Sequence, residues 1–354
     1  MLILAAMSDV GSFRTIFPVG VCLRKMGHEV KFQAFGNSIK LLKEKGEENQ
    51  KIEGMVKGVV TGMSSDEFEY SIASVWRDKC SVITIPDQWS SPFFSGGWKK
   101  REKYPDAICV NDDLGREAVR AWGFNGLVVE TGWPALDFYA DRKKWKNRKQ
   151  KMRERLELAS ILSKETKLIF FVGQGSKENT EAFQELLEVA VKIDLPIKII
   201  AREHPNARRH NPEEAEFWEK TIRDNKNKNL LLEIPDSSFS SLEFLATADV
   251  VVSDFSTVLT EATILEKPTI SILYPNKPVS ENFRRWSWTS KTFPLAALGC
   301  CQTAENRSQL KKYLEQALTL DFQFKKQVEK KFRLDGKNSM RVAQVVENLA
   351  KCRF

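Results

Sequence analysis

The chain has little of what metal sites and disulfide frameworks are made from. It carries three histidines and six cysteines among 354 residues. Only Cys300 and Cys301 are adjacent, no Cys-x-x-Cys spacing occurs and no Asp-x-Asp pair is present, so neither a structural zinc site, a disulfide scaffold nor a bound catalytic metal is expected. Scattered cysteines of this kind read as core filler in a reducing compartment. No apolar run approaches the roughly 20 residues that a membrane-spanning helix needs. The opening MLILAA has no basic residue before it and is too short for the apolar centre of a signal peptide, so it reads as a first strand. These absences point to a cytoplasmic protein, or to one peripheral on the cytoplasmic face of a membrane. Tandem repeats and low-complexity tracts are also missing.

What is present is the composition of a globular protein: 42% hydrophobic and 29% charged residues, with a mean hydropathy of -0.37. The length suits two domains. The net charge is +8, and part of it is concentrated in DRKKWKNRKQKMRERLEL, residues 141–158. This stretch reads either as a solvated linker and the exposed face of a helix, or as an attraction to an anionic membrane surface or a phosphorylated acceptor. Nucleic acid is not expected as a partner, because acids interrupt the basic run and no nucleic-acid motif accompanies it.

Along the chain, apolar runs alternate with helical periodicity. LILAAM, HEVKFQAF, KGVVTGM, CSVITIP, DAICVND and GLVVET read as strands of a first half. KLIFFVG, IKIIAREHP, NLLLEIP, DVVVSD and PTISILYP read as strands of a second half beyond the basic stretch. Repeated βα units predict an α/β protein with two Rossmann-like parallel sheets. The expected division is an N-terminal acceptor domain over 1–137, a basic linker and helix over 138–165, a donor domain over 166–330 and a closing segment over 331–354.

Open parallel sheets bind ligands beyond the carboxyl ends of their strands. In the second half those ends read GQGS, REHP, IPDSS and SDFST, which are small, hydroxylated or charged after almost wholly apolar strands. Gly173 and Gly175 permit a tight turn, and Ser176 opens a helix. Asp254, Ser256 and Thr257 stand where a helix begins, and its backbone N–H groups and positive end suit a phosphate. The plainer alternative is that one of them only caps the helix. Glu261 lies one turn further along the same helix, where a carboxylate can accept hydrogen bonds from both ribose hydroxyls. Alone, it reads as a solvent-facing glutamate. In the first half, Asp87 follows the strand SVITIP beside Gln88 and Trp89. It is a candidate general base for an acceptor hydroxyl, or else the cap of the next turn.

The run from Asp254 through Glu261 to EKP resembles the donor-site helix of GT-B glycosyltransferases. Among them it is most similar to CDP-glycerol glycerophosphotransferases, and non-hydrolysing UDP-N-acetylglucosamine 2-epimerases share the acid at Glu261 and the following KP. VVETGWPALDFY resembles the end of the N-terminal domain in these families, and YPDAICVNDDLGREAVRAWG its penultimate βα unit. RLDGKNSMRVAQVVENL looks like the closing helix that braces that domain.

The resemblance implies a GT-B fold, its two sheets facing an interdomain cleft. Gly173, Gly175, Ser176, Arg202, His204, Ile234, Ser238, Asp254, Ser256, Thr257 and Glu261 would then lie around the donor. Asp9 would be the rival of Asp87 as base, since the loop after the first strand often supplies it in inverting enzymes. Gly11 and Ser12 beside it allow close approach. Trp286 and Trp288 are candidates for an acceptor path, or for core packing.

The chain departs from both families. The glycerophosphotransferases have a His-Gly pair about where this sequence reads IPDQWSS, and the double-glycine turn and paired acids of the epimerases do not occur. The expectation is a metal-independent glycosyltransferase that takes its sugar from a UDP-linked donor, needs no cofactor, and acts on a polysaccharide or glycolipid hydroxyl. The alternatives are a glycerophosphotransferase, a nucleotide-sugar 2-epimerase, or a non-catalytic nucleotide-binding protein.

Overall fold

The opening apolar run forms β1 (Leu2–Met7), whose six residues are all buried, as the inner strand of a parallel sheet must be. It belongs to a computed structural model that describes residues 1–64, 67–89, 91–94, 97–100, 103–161, 163, 165–173, 177–203, 212–224, 230–233, 239–275, 277, 293–319 and 325–352. The described residues divide into two units. One runs from Met1 to Ala140 and resumes at Lys331, and the other lies between Asp141 and Lys330.

In the first unit β1 is followed by α1 (Val10–Lys25), β2 (Glu29–Ala34), α2 (Asn37–Glu44), β3 (Val56–Thr61), α3 (Phe68–Trp76) and β4 (Ser81–Thr84). Next come α4 (Ser91–Phe94), β5 (Ala107–Val110), α5 (Asp113–Ala121) and β6 (Leu127–Glu130). The strands pair in parallel in the order β2-β1-β3-β4-β5-β6. Local chemistry marks the helix ends. Asp9 and Ser12 form a capping box at the start of α1, Asp112 caps α5, and the chain leaves α1 through Gly27 at φ +87.

The second unit opens on α6 (Arg142–Leu158), β7 (Lys167–Val172), α7 (Lys177–Ala190), β8 (Ile197–Arg202), α8 (Pro212–Asp224) and β9 (Leu230–Glu233). It continues through α9 (Ser241–Thr247), β10 (Val250–Ser253), α10 (Val258–Ile264), β11 (Thr269–Ile272), α11 (Pro294–Ala297), β12 (Gln302–Ala304), α12 (Arg307–Thr319) and α13 (Lys325–Lys331). Its strands are again parallel, in the order β12-β11-β10-β7-β8-β9. The basic stretch is α6 itself. Trp145, Met152 and Leu156 are buried, α6 packs against α9, and the lysines at 143, 144, 146, 149 and 151 are exposed. Among the described residues no helix is long and apolar enough to cross a membrane.

The last helix, α14 (Asn338–Cys352), returns to the first unit and packs on α1, β3 and β4. Val342, Ala343, Val346 and Ala350 repeat at helical spacing and enter the same core as Ile3, Val60 and Ile83. Its N-terminus is held by a distant residue. Asp137 Oδ1 accepts the Asn338 N–H at 2.9 Å and Oδ2 the Ser339 N–H at 2.7 Å, which satisfies two of the four orphan donors of a helix start with a carboxylate. Gly132 at φ +80 makes this approach feasible, because a Cβ there would lie 2.1 Å from Asn338 Oδ1. Replacing Asp137 with Ala should destabilise the protein by about 1–3 kcal/mol, the scale of a lost charged cap. Chemical denaturation should show a lower midpoint, and an unchanged midpoint would deny this clasp its role.

Candidate active site

In the first sheet the chain steps from β1 outward to β2 and then restarts on the opposite side at β3. At such a reversal the connecting helices leave on opposite faces, so a crevice opens beyond the strand ends. Ser8 and Asp9 stand there after β1, Ser64 and Glu69 after β3, and Asp87 after β4.

Asp9 Oδ1 accepts the Ser12 N–H at 2.7 Å, at the end of α1 where the helix favours an anion. A Cβ on Gly11 would lie 2.4 Å from Asp87 Oδ2 and 3.4 Å from Asp9 Oδ1. The two candidate bases therefore meet over the first turn of α1, and only glycine leaves them room. Ser91 donates to Asp87 Oδ1 at 2.5 Å. Burial, and then the neighbouring Asp9, push the Asp87 carboxyl up to about 7.

A third acid completes the group. Glu69 is 0% exposed. Its Oε1 accepts the Ser8 N–H at 3.0 Å and the Ser8 hydroxyl at 3.2 Å, and its Oε2 accepts the Ser64 N–H at 2.7 Å. One side chain thus ties the end of β1 to the segment beyond β3. Burial first, and the charge of Asp9 second, raise it to about 8. A Cβ on Gly62 would sit 2.9 Å from both of its oxygens. Sequence reasoning passed over Glu69, because its helix looked like a plain connection.

The second sheet reverses between β7 and β10. Gly173 follows β7, and a Cβ there would lie 2.6 Å from Trp218 Cη2 and 3.1 Å from Asn179 Oδ1, so the glycine lets the strand end close on α7 and α8. Arg202 ends β8 and donates to the Phe239 carbonyl at 2.7 Å. Ser256 accepts the Val258 N–H at 3.3 Å, Thr257 is exposed and Glu261 half-buried on the following turn.

Asp254, expected at the donor phosphates, is fully buried. Its Oδ1 accepts the Phe255 N–H at 2.7 Å and the Ser253 hydroxyl at 3.2 Å, and the buried Asn179 stands beside it. Burial raises it to about 6. These bonds hold the turn that leads to Ser256, which is buried, and Thr257, which is exposed. Gly175, Ser176, His204, Ile234 and Ser238 lie outside the described residues, as do Trp286 and Trp288.

No protein-family model and no curated protein sequence matches the chain. Solved structures do. The UDP-GlcNAc 2-epimerase of Methanocaldococcus jannaschii, in complex with UDP-GlcNAc and UDP, is similar at a TM-score of 0.67 and 15% identity, over 98% of this chain and 100% of that one. A glycosyltransferase from Rickettsia africae is similar at 0.63 and 13%, over 99% and 98%. The wall teichoic acid polymerase TagF is similar at 0.52 and 11%, over 100% and 89%. These are GT-B-type structures, and the chain has their fold.

The carboxylates make stability depend on pH in a stated direction. An acid that keeps its proton to about pH 8 when folded, and loses it near 4.5 when unfolded, is bound by more protons in the folded state across that window. Stability must then fall as pH rises through it. Glu69→Gln should flatten this fall between about pH 5 and pH 8, with Asp87 leaving a smaller slope up to about pH 7. Melting temperatures across the range decide it: parallel curves for parent and variant would mean that Glu69 titrates normally.

Proposed function

We propose that the protein is a GT-B-type glycosyltransferase that moves a sugar from a nucleoside-diphosphate donor, uridine-linked, to a hydroxyl of a cell-surface polysaccharide or glycolipid. The observation that carries this reading is the Asp9–Asp87 pair over Gly11, a half-buried carboxyl poised near neutral pH at a sheet reversal. The structural likeness to proteins named for UDP-GlcNAc and UDP supports the donor class.

In this mechanism ionised Asp87 accepts the proton of the acceptor hydroxyl. The oxygen then bonds to the anomeric carbon while the bond to the diphosphate breaks, and UDP leaves with the electron pair. Ser91 orients Asp87, Asp9 raises its basicity, and Glu69 fixes the backbone beneath them. On the donor side, the turn at Ser256 and Thr257 meets phosphate, and Glu261 meets the ribose. The exposed lysines of α6 suit attachment to an anionic membrane surface, where a lipid-linked acceptor would lie.

A second reading, nucleotide-sugar 2-epimerase, is favoured by the likeness to several structures of that name over 97% or more of this chain. Incubation with UDP-sugars separates the two. An epimerase yields a new UDP-sugar without acceptor, whereas a transferase releases UDP only when acceptor is supplied.

Asp87→Asn should lower turnover by about 10²-fold or more and leave donor affinity unchanged. Asp9→Asn keeps the helix cap but removes a charge beside Asp87, so the rising limb of the pH–rate profile should move to lower pH. Full turnover in Asp87→Asn would remove it as base. On the donor side, UDP at about 100 times its dissociation constant should stabilise the protein by about 2.7 kcal/mol. Glu261→Ala should weaken UDP binding by about 1.5–3 kcal/mol, and unchanged calorimetric affinity would take Glu261 out of the site.

A further inference from the structure

Most large apolar side chains of the first unit are buried, yet Phe35 is 51%, Val10 41% and Ile39 39% exposed. Val10 follows Asp9 directly, and the segment carrying Phe35 is fastened to the same turn. Phe35 N–H donates to the Met7 carbonyl at 3.0 Å, Ser38 N–H to the Ser8 carbonyl at 3.2 Å, and the Ser38 hydroxyl to the Asp9 carbonyl at 2.8 Å. Gly36, at φ +54, lets the loop close there, since a Cβ would lie 3.1 Å from the Ser8 oxygen. The Phe35 ring stacks on Phe68 with centroids 5.3 Å apart and planes 16° from parallel. Phe68 in turn precedes Glu69, whose carboxylate grips Ser8. Both rings are thus held by the segments that hold the carboxylates. Gly36, the residue after Phe35, also lines a wide open depression of about 640 Å³ together with Ile39, Lys40, Lys43 and Glu44.

We infer that the Phe35–Phe68 pair is the acceptor subsite, with a pyranose ring of the acceptor glycan stacked on the open side of Phe35 and its chain continuing into the depression. The inference rests on the glycosyltransferase reading. A hexose ring has a face of C–H bonds and a rim of hydroxyls. A phenyl face buries the first, while carboxylates and ammonium groups bond the second. An acyl chain would need a continuous apolar trough, and Lys40, Lys43 and Glu44 interrupt this one. The segment that carries Phe35 is fastened to the turn that bears Asp9, which ties the sugar platform to the same strand end as the acids.

The test uses the full chain and methyl pyranosides of the common hexoses and N-acetylhexosamines, followed by saturation-transfer NMR with and without saturating UDP. At least one pyranoside should bind the parent. Phe35→Ala should weaken it by about tenfold, and Phe35→Trp, which enlarges the face, should restore or tighten it. UDP affinity should stay constant in all three proteins. Equal pyranoside affinity in the parent and Phe35→Ala overturns the subsite, as does a parent that binds UDP and no pyranoside. Pyranoside binding that needs Phe35, in a chain that neither binds nor turns over any nucleotide sugar, upholds the sugar platform and overturns the transferase reading instead.

Discussion

A doubly wound parallel sheet reverses its direction of growth at one point, and the candidate site residues of this chain stand at the two places where its sheets do so. Elsewhere, right-handed crossovers lay a helix over the strand ends. At the reversal the flanking helices depart to opposite faces, and strand ends, turns and helix N-termini are left facing open space. The order 2-1-3 in the first sheet and 10-7-8 in the second therefore decides which loops can bear a site. Asp9 and Glu69 border the first reversal, Asn179 and Asp254 the second.

The first reversal is held together by groups that would be cheaper to leave out. Three carboxylates share one neighbourhood, and Asp9 raises both of the others, so ionising the whole set opposes folding. Glu69 offsets part of that cost by accepting the buried Ser8 and Ser64 N–H groups. It also fixes the spacing between the two strand ends. Gly11 and Gly62 make room for the oxygens. A protein selected only for stability would fill this site with apolar side chains. Keeping the acids makes sense where an acid with its proton loosely held near neutral pH has work to do.

How much of this could be read from the sequence depended on how far apart the partners lie in the chain. DVVVSD declared a buried strand because its signal is local, and β10 covers Val250–Ser253. Asp87 and Asp9 could be named because the strand-end rule needs only a strand and the residue after it. Glu69 could not, because its partner Ser8 is 61 residues away and nothing in FEYSIASVW separates a buried acid from an exposed one. The stretch GWPALDFY was recognisable, but its physical reason was hidden: Asp137 caps a helix 201 residues downstream. In α6 the density of Lys and Arg masked the stripe of Trp145, Met152 and Leu156 that buries the helix. The surroundings of Asp254 were hidden for a related reason. Position alone placed it at a helix start, while the direction of its side chain was set by Phe255, Ser253 and Asn179.

The two reversals also differ in charge, and this difference bears on which unit suits which substrate. A nucleoside diphosphate is an anion, and the first reversal gathers Asp9, Asp87 and Glu69 over a single helix end. An incoming phosphate there would press these acids further toward their protonated forms, since a negative charge a few ångströms away in a poorly hydrated crevice opposes their ionisation. A neutral sugar hydroxyl meets no such penalty and gains acceptors. At the second reversal the buried Asp254 is turned inward and already hydrogen-bonded through Oδ1, and Arg202 stands at the end of β8. The hydroxyls of Ser256 and Thr257 lie at the turn. That balance is the electrostatic ground for the proposed placement of the anionic donor at the second unit and the neutral acceptor at the first.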